Sequence, residues 1–403
     1  MKNNLPRKIT AISAVRTPTG KFGGTLKEIP VYHLGASVIR AACKKGGVSP
    51  NEIDECVLGC CRQAGNGTNP ARTAALSAGL SKETPAATIT MACASGMRAV
   101  ILGIQTILSG DSEITAVGGM ESMSTIPYLL LDARWKGFNH GSKMLVDGWY
   151  DSRDPFIANK GTAETTETLI AKYGITRAKQ DQFALQSHQK ASQARKKNLF
   201  KTEIVPIELE TSERLKHFFT EDETIREDST LEKLSKLKPV FGENGTLTAG
   251  NSSPLSDGAA ALILTTKEKG RSLGARPLFS ICSYAIGAVN NELMGEGPAR
   301  VLPMALKKAG MSLKNIDFLE INEAFSGMVL ANQKILETEK GWNPEKLNVK
   351  GGAIALGHPV GCSGARILVT LYHILKDFDG EIGAAAIGGA GGVAAAMVIQ
   401  RHE

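Results

Sequence analysis

The sequence predicts an α/β fold in which buried strands alternate with helices and one structural unit occurs twice. Three observations carry that expectation: two stretches share an order of features, strand-like apolar runs alternate with helical periodicities, and a polar segment separates the two copies. The first copy, "CASGMRAVILGIQTILSGDSEITAVGGMES", runs from Cys93 to Ser122, and the second, "CSGARILVTLYHILKDFDGEIGAAAIGGAGG", from Cys362 to Gly392. Each opens with Ser-Gly-x-Arg (Ser95 to Arg98, Ser363 to Arg366) at the head of an apolar run with helical spacing. Each then breaks at a glycine (Gly110, Gly380) and enters a short Ala/Val/Ile run that closes on Gly-Gly. Helix, turn and buried strand in that order make half of a βαβ unit, and the shared order and spacing point to duplication.

Along the chain, "KITAISAV" (8–15) reads as the first buried strand and 34–45 as a helix. After the first copy, residues from about 121 to 245 are richer in charge and read as an insertion of helices and loops, with helical periodicity at 165–172 and 178–197. Inside it, "EDETIREDSTLEKLSKLK" (221–238) reads as a solvated helical face. "AAALILTT" (259–266) and "FLEIN" (318–322) are further strands, and 325–337 is a helix ahead of the second copy. Such alternation implies strands covered by helices on both faces.

A chain of 403 residues exceeds the roughly 250–300 at which a single core stops growing, so two or three domains are expected. The net charge of +7 is modest, aromatics are 5%, and no basic block is interleaved with aromatics. That pattern suits a small anionic ligand and does not call for nucleic acid. The N-terminal "MKNNLPRKITAISAV" is basic without an apolar stretch of signal-peptide length. No charge-free run of about 18 apolar residues suggests a membrane span, so a cytoplasmic protein is expected. Seven cysteines (43, 56, 60, 61, 93, 282, 362) are an odd number scattered over a long chain, which argues against a disulfide framework. Cys60 and Cys61 read as a buried pair of small residues. With no C-x-x-C and with dispersed histidines, no metal site is expected.

Four stretches could carry chemistry. In "TITMACASGM" an apolar run ends at Cys93 and a helix begins within two or three residues. A thiol at that turn sits at the positive end of a helix dipole, which favours thiolate and a nucleophilic role. "NVKGGAIALGHPVGCSGAR" holds His358 in a glycine-rich loop at the matching turn of the second copy. Pseudo-symmetry would bring both turns to one cleft as a Cys–His pair. "DFLEINEAFSG" delivers Asn322, whose amide can hold a water or an oxyanion, and Glu323, which can brace a loop. "LTAGNSSPLSDGAAALIL" is a polar turn suited to a ligand's polar arm. A dinucleotide loop at Gly389-x-Gly391 fails on length, because that fold needs a further helix and strand beyond it.

These stretches, with "AVRTPTGKFGGTL", "EIVPIEL" and "GGAIALGHPVGCSGAR", resemble the thiolase family over essentially the whole chain. The resemblance implies two αβα halves in a five-layered αβαβα core. It implies an N-terminal half (1–120 and 246–272), an inserted loop domain covering coenzyme A (121–245) and a C-terminal half (273–403). It implies ping-pong acyl transfer between a 3-oxoacyl-CoA and CoA as co-substrate, with no tightly bound cofactor. Cys93 would be the acylated nucleophile, His358 its base, and Asn322 the holder of a water that, with His358, stabilises the enolate. The N–H groups of Cys93 and Gly388 would form the second oxyanion hole. Ser253 would contact the pantetheine arm and Phe325 would line the acyl pocket. A homo-oligomer, dimer or tetramer, is implied.

Three departures from the family pattern stand out. Thr90 replaces an asparagine, Asn159-Lys160 replaces Met-Gly, and Ala386 replaces the second catalytic cysteine of Cys-x-Gly-Gly-x-x-Gly. That cysteine exchanges a proton with the substrate's α-carbon, a step worth about 10²–10⁴-fold. Cys362 offers another thiol nearby in sequence. The expectation is an active thiolase for a larger, polar or aromatic 3-oxoacyl-CoA, with Ala386 opening space. One branch of the family, acting on 2-benzoylsuccinyl-CoA, works with a small zinc-binding partner subunit. The alternative is a non-catalytic thiolase-like subunit of an acyl-CoA-binding complex, against which stands the joint presence of Cys93, His358 and Asn322.

Overall fold

The computed structural model describes residues 8–131, 133–149, 153–157, 159–209, 217–242 and 244–402. The first seven residues, part of the stretch read above as free of a leader, lie outside that set, as does Glu403. Nine strands form the body of one sheet. They are β1 (Ile9–Arg16), β2 (Glu55–Gly59), β3 (Ala86–Ile89), β4 (Ile114–Ser122), β5 (Ser256–Thr266), β6 (Phe279–Ala288), β7 (Phe318–Ile321), β8 (Ile382–Gly388) and β9 (Val393–Arg401). The short strand Gly20–Lys21 pairs with β5 as a tenth.

The order β7-β8-β9-β6-β1-β5-β4-β2-β3 records the duplication. Counting outward from the centre, β1 and β6 hold the first rank, β5 and β9 the second, β4 and β8 the third, β2 and β7 the fourth. The two half-sheets join at β1 and β6 through only two residue pairs, Thr10 with Ser280 and Ala11 with Phe279. The strands ending the two repeated units are therefore β4 and β8, as the sequence order requires.

Five layers follow from which face each side chain takes. Helices α1 (Val31–Gly46) and α2 (Pro70–Ala78) bury Leu34, Ile39 and Ala74 against Ile12, Leu58, Ala261 and Ile263. On the far side, α3 (Ser95–Ser109), with Ile101 and Ile104, meets Val57, Val117, Leu262 and Leu264. The same central layer holds α4 (Val360–Asp377), whose Leu368 and Leu371 cluster with Ala385, Ile387, Met397 and Ile399. The outermost layer is α5 (Gly297–Ala309) and α6 (Ser326–Leu336), burying Leu302 and Val329 against Leu319, Ile321, Ala384 and Ala386. The window Ala92–Ser109 is long and apolar enough by composition to cross a membrane, and 61% of it is buried inside the protein.

The repeated Ser-Gly has a physical reason. A Cβ on Gly96 would lie 2.8 Å from the Ala365 nitrogen, and one on Gly364 would lie 2.5 Å from the Met97 nitrogen. The two central helices thus start in backbone-to-backbone contact, which brings their N-terminal turns together. Gly364→Ala is expected to destabilise the fold by about 1–3 kcal/mol, the penalty of overpacking a close-packed core, read as a lower denaturant midpoint.

The link between β4 and β5 runs from Met123 to Leu255, whereas β8 and β9 are joined by Gly389–Gly392. The longer link carries helices Thr162–Lys172 and Arg177–Lys196. Its charge run is not the solvated helical face expected at 221–238, because only Leu231–Ser235 is helical there. Arg16, fully buried at the end of β1, explains the difference. Its guanidinium donates to Asp222 at 2.7 and 2.9 Å and to Glu203 at 2.7 Å, so the run begins as a strap pinned inside the protein. All seven cysteines are free, and Cys60 is buried while Cys61 is half-buried, so that pair is not uniformly interior.

Candidate active site

The turn after β3 is built to present Cys93. Ala92 takes φ +47°, a left-handed conformation that a non-glycine residue rarely holds and that concentrates at functional turns. The Ser95 hydroxyl fixes it, accepting from the Met91 N–H at 2.8 Å and donating to the Ala92 carbonyl at 2.6 Å. Thr90 ties the base of the turn, donating to the Cys60 carbonyl at 2.9 Å and accepting from Gln63 Nε2 at 2.7 Å. Threonine thus holds two loops together at the position where asparagine was expected.

The second copy presents His358 in the same manner. Gly357 takes φ +86°, and a Cβ there would meet the Ser256 hydroxyl at 2.6 Å. His358 Nδ1 lies 2.6 Å from Ser363 Oγ, and that hydroxyl donates to the Pro359 carbonyl at 2.9 Å. With its proton committed to Pro359, the hydroxyl accepts from Nδ1–H, leaving Nε2 as the free base. Nε2 lies 3.3 Å from Cys93 Sγ. Ser95 and Ser363, equivalent residues of the two copies, therefore do equivalent work, one setting the nucleophile's turn and the other the base's tautomer.

Burial decides the charge state of the pair. It pushes the Cys93 thiol up to about 11 against the opposing pull of backbone N–H groups, foremost that of Ala390. It drives His358 down to about 3, with Arg366 adding in the same direction. The thiolate expected from the helix dipole is thus not the resting form, because desolvation outweighs the dipole. At neutral pH the site holds a thiol beside a neutral imidazole, and the proton crosses to Nε2 as sulfur attacks. The alkylation rate of Cys93 by iodoacetamide should accordingly climb throughout pH 6–9. A plateau reached by pH 7 would establish a resting thiolate.

Glu121, fully buried at the end of β4, joins the loops around the pair. Its carboxylate accepts from the N–H groups of Cys61 (3.0 Å), Arg62 (3.0 Å) and Gly361 (2.8 Å), with Cys60 Sγ at 3.6 Å. The third wall is "INEAF". Asn322 is 1% exposed, its N–H donates to the Ala386 carbonyl at 3.1 Å, and both its side-chain amide atoms lack a protein partner. Such an amide needs a water or a substrate oxygen. Glu323 is braced away from the pair by Ser187 (2.7 Å), Asn348 (2.8 Å) and the Ile354 N–H (3.2 Å). Ser252 bridges Phe325, and the half-buried Ser253 donates its N–H to Ala324 at 3.0 Å, so Ser253 and Phe325 lie on touching segments.

The C-terminal glycine loop closes the site. A Cβ on Gly389 would lie 3.0 Å from Ala92 Cβ and 3.1 Å from the Cys93 nitrogen, and one on Gly388 3.0 Å from Pro298. Backbone alone therefore packs against the Cys93 turn. Ala386, one register step from Asn322 and paired with Ile321, is fully buried among Leu302, Val329 and Ala394. The missing thiol leaves no exposed space, because these outer-layer side chains close over the methyl group, contrary to the expected opening. Cys362 is no ready replacement, since burial pushes its thiol up to about 12. Sequence reasoning missed Glu121, Ser363 and Ala390; the repeated Ser-Gly was the signal that could have found Ser363.

The family model described as "Thiolase, N-terminal domain" matches residues 9–268, and "Thiolase, C-terminal domain" matches 275–401. An acetyl-CoA acetyltransferase of Chromobacterium violaceum is 43% identical over 396 residues, 98% of this chain and 100% of its own length. A probable acetyl-CoA acyltransferase of Staphylococcus aureus is 41% identical over 397 residues, with the same coverage. The Bacillus anthracis acetyl-CoA acetyltransferase structure matches with TM-score 0.94 and 41% identity over 99% of this chain and 100% of that one. Human mitochondrial 3-ketoacyl-CoA thiolase in complex with CoA matches with TM-score 0.94 and 36% identity over 99% of both chains.

Proposed function

This chain belongs to the thiolase family and is an acyltransferase of that class, and from that premise we propose that it cleaves a 3-oxoacyl-CoA through an acyl-enzyme on Cys93. The observation that carries the proposal is Cys93 Sγ at 3.3 Å from the unprotonated nitrogen of His358. Cys93 attacks the 3-oxo carbon as His358 takes its proton, the bond to the α-carbon breaks, and the enolate of the CoA-bearing fragment leaves. The unpartnered amide of Asn322 supports its role in holding the water that, with His358, stabilises that enolate. The N–H groups of Cys93 and Gly388 receive the acyl oxygen, Ser253 meets the pantetheine arm, and Phe325 lines the acyl pocket. Coenzyme A then takes the acyl group.

The division into a half at 1–120 and 246–272, an insertion at 121–245 that covers CoA, and a half at 273–403 is part of the proposal. So is a substrate larger, more polar or more aromatic than acetoacetyl-CoA, of the kind 2-benzoylsuccinyl-CoA represents, and with it a small zinc-binding partner subunit. The departure Asn159-Lys160 supports it; Lys160 is held by Glu292 at 2.8 Å. A homo-oligomer in the cytoplasm completes it. The exposed Tyr128, Leu131, Trp135, Phe138, Met144 and Leu145 of the insertion supply apolar surface for assembly.

Incubation with linear, branched and aryl 3-oxoacyl-CoA substrates, followed by mass spectrometry, should find an acyl adduct on Cys93. Turnover by the purified chain alone would dismiss the partner subunit. Ala386 is the observation that favours a non-catalytic subunit, and that reading wins if no acyl-CoA, with or without CoA, leaves an adduct.

A further inference from the structure

Glu320 and Arg366 form a buried polar pair that the acyl-transfer steps above do not use. Glu320 on β7 is 1% exposed, and Arg366 on α4 is 2% exposed. Arg366 Nη1 stands 3.8 Å from Glu320 Oε2, too far for a hydrogen bond. Arg366 and Glu320 form a buried ion pair, but Nε, Nη1 and Nη2 of Arg366 and Oε1 of Glu320 are all buried without a hydrogen-bond partner. Two residues beyond Glu320 stands Asn322, with its two unpartnered amide atoms. The intervening Ile321 points into the outer layer, so strand alternation turns Glu320 to the central side, and Asn322 follows directly after the strand, about 7 Å along the chain.

Six orphaned polar atoms on three neighbouring buried side chains cannot be left dry. A buried water satisfies about three such groups, so a short water chain fits the spacing between Glu320 and Asn322. Ala386, where the family pattern has a proton-carrying thiol, pairs with Ile321 and packs with it in the outer layer, so its methyl group lies on the other face of the sheet from Glu320.

We propose that Glu320, through water shared with Arg366 and Asn322, stores the proton that Ala386 cannot carry. The inference rests on the thiolase reading above. When Cys93 becomes acylated, the expelled enolate needs one proton on its α-carbon. It comes from the water at Asn322, which is replenished from the Glu320 carboxyl group, leaving a carboxylate facing Arg366. In the second half-reaction the thiol proton of coenzyme A returns along the same water to Glu320. Nothing is oxidised or reduced, and no proton is gained or lost over the cycle.

The pair suits that task. Burial raises the Glu320 carboxyl to about 8, beyond what Arg366 can offset. Glu323 beside β7 and Glu203 from the insertion add to the rise, while Lys350 from the loop before Ala353 opposes it. Glu320 therefore carries its proton at neutral pH and gives it up as pH climbs past about 8.

The test is exchange of the α-hydrogens of acetyl-CoA with deuterium from solvent, followed by mass spectrometry, beside acylation of Cys93 by the same acetyl-CoA. Taking up an α-hydrogen requires the carboxylate, so exchange should rise as pH passes about 8; Glu320→Gln should slow exchange about 10²-fold and remove that rise, while the Cys93 adduct still forms. Placed on an Ala386→Cys background, where a thiol carries the proton, Glu320→Gln should change exchange by less than about threefold. If Glu320→Gln does not fold, Glu320→Asp, which keeps a carboxyl group one methylene shorter, should keep the alkaline limb at a lower rate. Unchanged exchange in Glu320→Gln, or an equal loss in both backgrounds, overturns the proton store. No Cys93 adduct in the unaltered protein with acetyl-CoA or with any of the linear, branched and aryl 3-oxoacyl-CoA substrates instead overturns the thiolase reading on which it rests.

Discussion

Cys93→Ala is expected to abolish acyl transfer, lowering kcat by on the order of 10⁴–10⁶-fold, the scale on which removal of a covalent nucleophile acts. The reason is local. Among the described residues His358 Nε2 is hydrogen-bonded only to Cys93 Sγ, and the Asn322 amide is not a nucleophile. Neither can substitute for sulfur. The variant should fold, since the Cys93 side chain makes no hydrogen bond that fixes its turn; Ser95 and Thr90 do that. The measurement is thiolysis monitored by loss of the 3-oxoacyl-CoA, with circular dichroism as the folding control. Substantial residual turnover would move the nucleophile elsewhere.

Ala386→Cys has the second largest expected effect, and in the opposite direction. A thiol at the end of β8, beside the strand that delivers Asn322, should raise α-hydrogen exchange of acetyl-CoA by about 10²–10⁴-fold, the usual value of a positioned acid–base group. The added sulfur enters a closed cluster, so a loss of about 1–3 kcal/mol in stability should accompany the gain. Ala386→Ser is the control, because it adds similar bulk without a thiol. If both variants exchange alike, the surrounding pocket has been rebuilt for a different proton path.

Much of the fold could be read in the sequence because the repeated unit carried its own order. Ser-Gly-x-Arg, an apolar helical run, a glycine break and a Gly-Gly strand end placed α3 with β4 and α4 with β8 as equivalent units. The strand at 9–16 and the helices at 31–46 and 177–196 were visible through period alone. The charge run at 221–238 is largely solvated as expected. Only a short part of it is helical, however, and Asp222 at its head is buried, because sequence shows that a residue is charged and hides whom it meets. Arg16 lies some two hundred residues away and decides that Asp222 is buried. The same limit applied at the site. Residue types identified Cys93, His358 and Asn322, yet the thiol's protonation depended on burial, which no spacing reports. Glu121 looked like part of a strand end, and its three N–H partners come from two distant loops.

The narrow seam between the half-sheets, two residue pairs at β1 and β6, bears on how such a site can arise. Two copies of one unit, each folded around its own strands, meet across the central layer, where α4 packs on α3 and on the facing strands β4 and β5. If they were separate and identical, every turn at that meeting place would face its twin, and nucleophile and base would have to be the same residue. Fusion into one chain releases the two turns from that identity. One can then become a thiol and the other an imidazole while Ser95 and Ser363 keep the shared scaffold. The division of labour between Cys93 and His358 is thus a symmetry broken in chemistry and retained in backbone, and Ala386 shows that the second copy has continued to diverge.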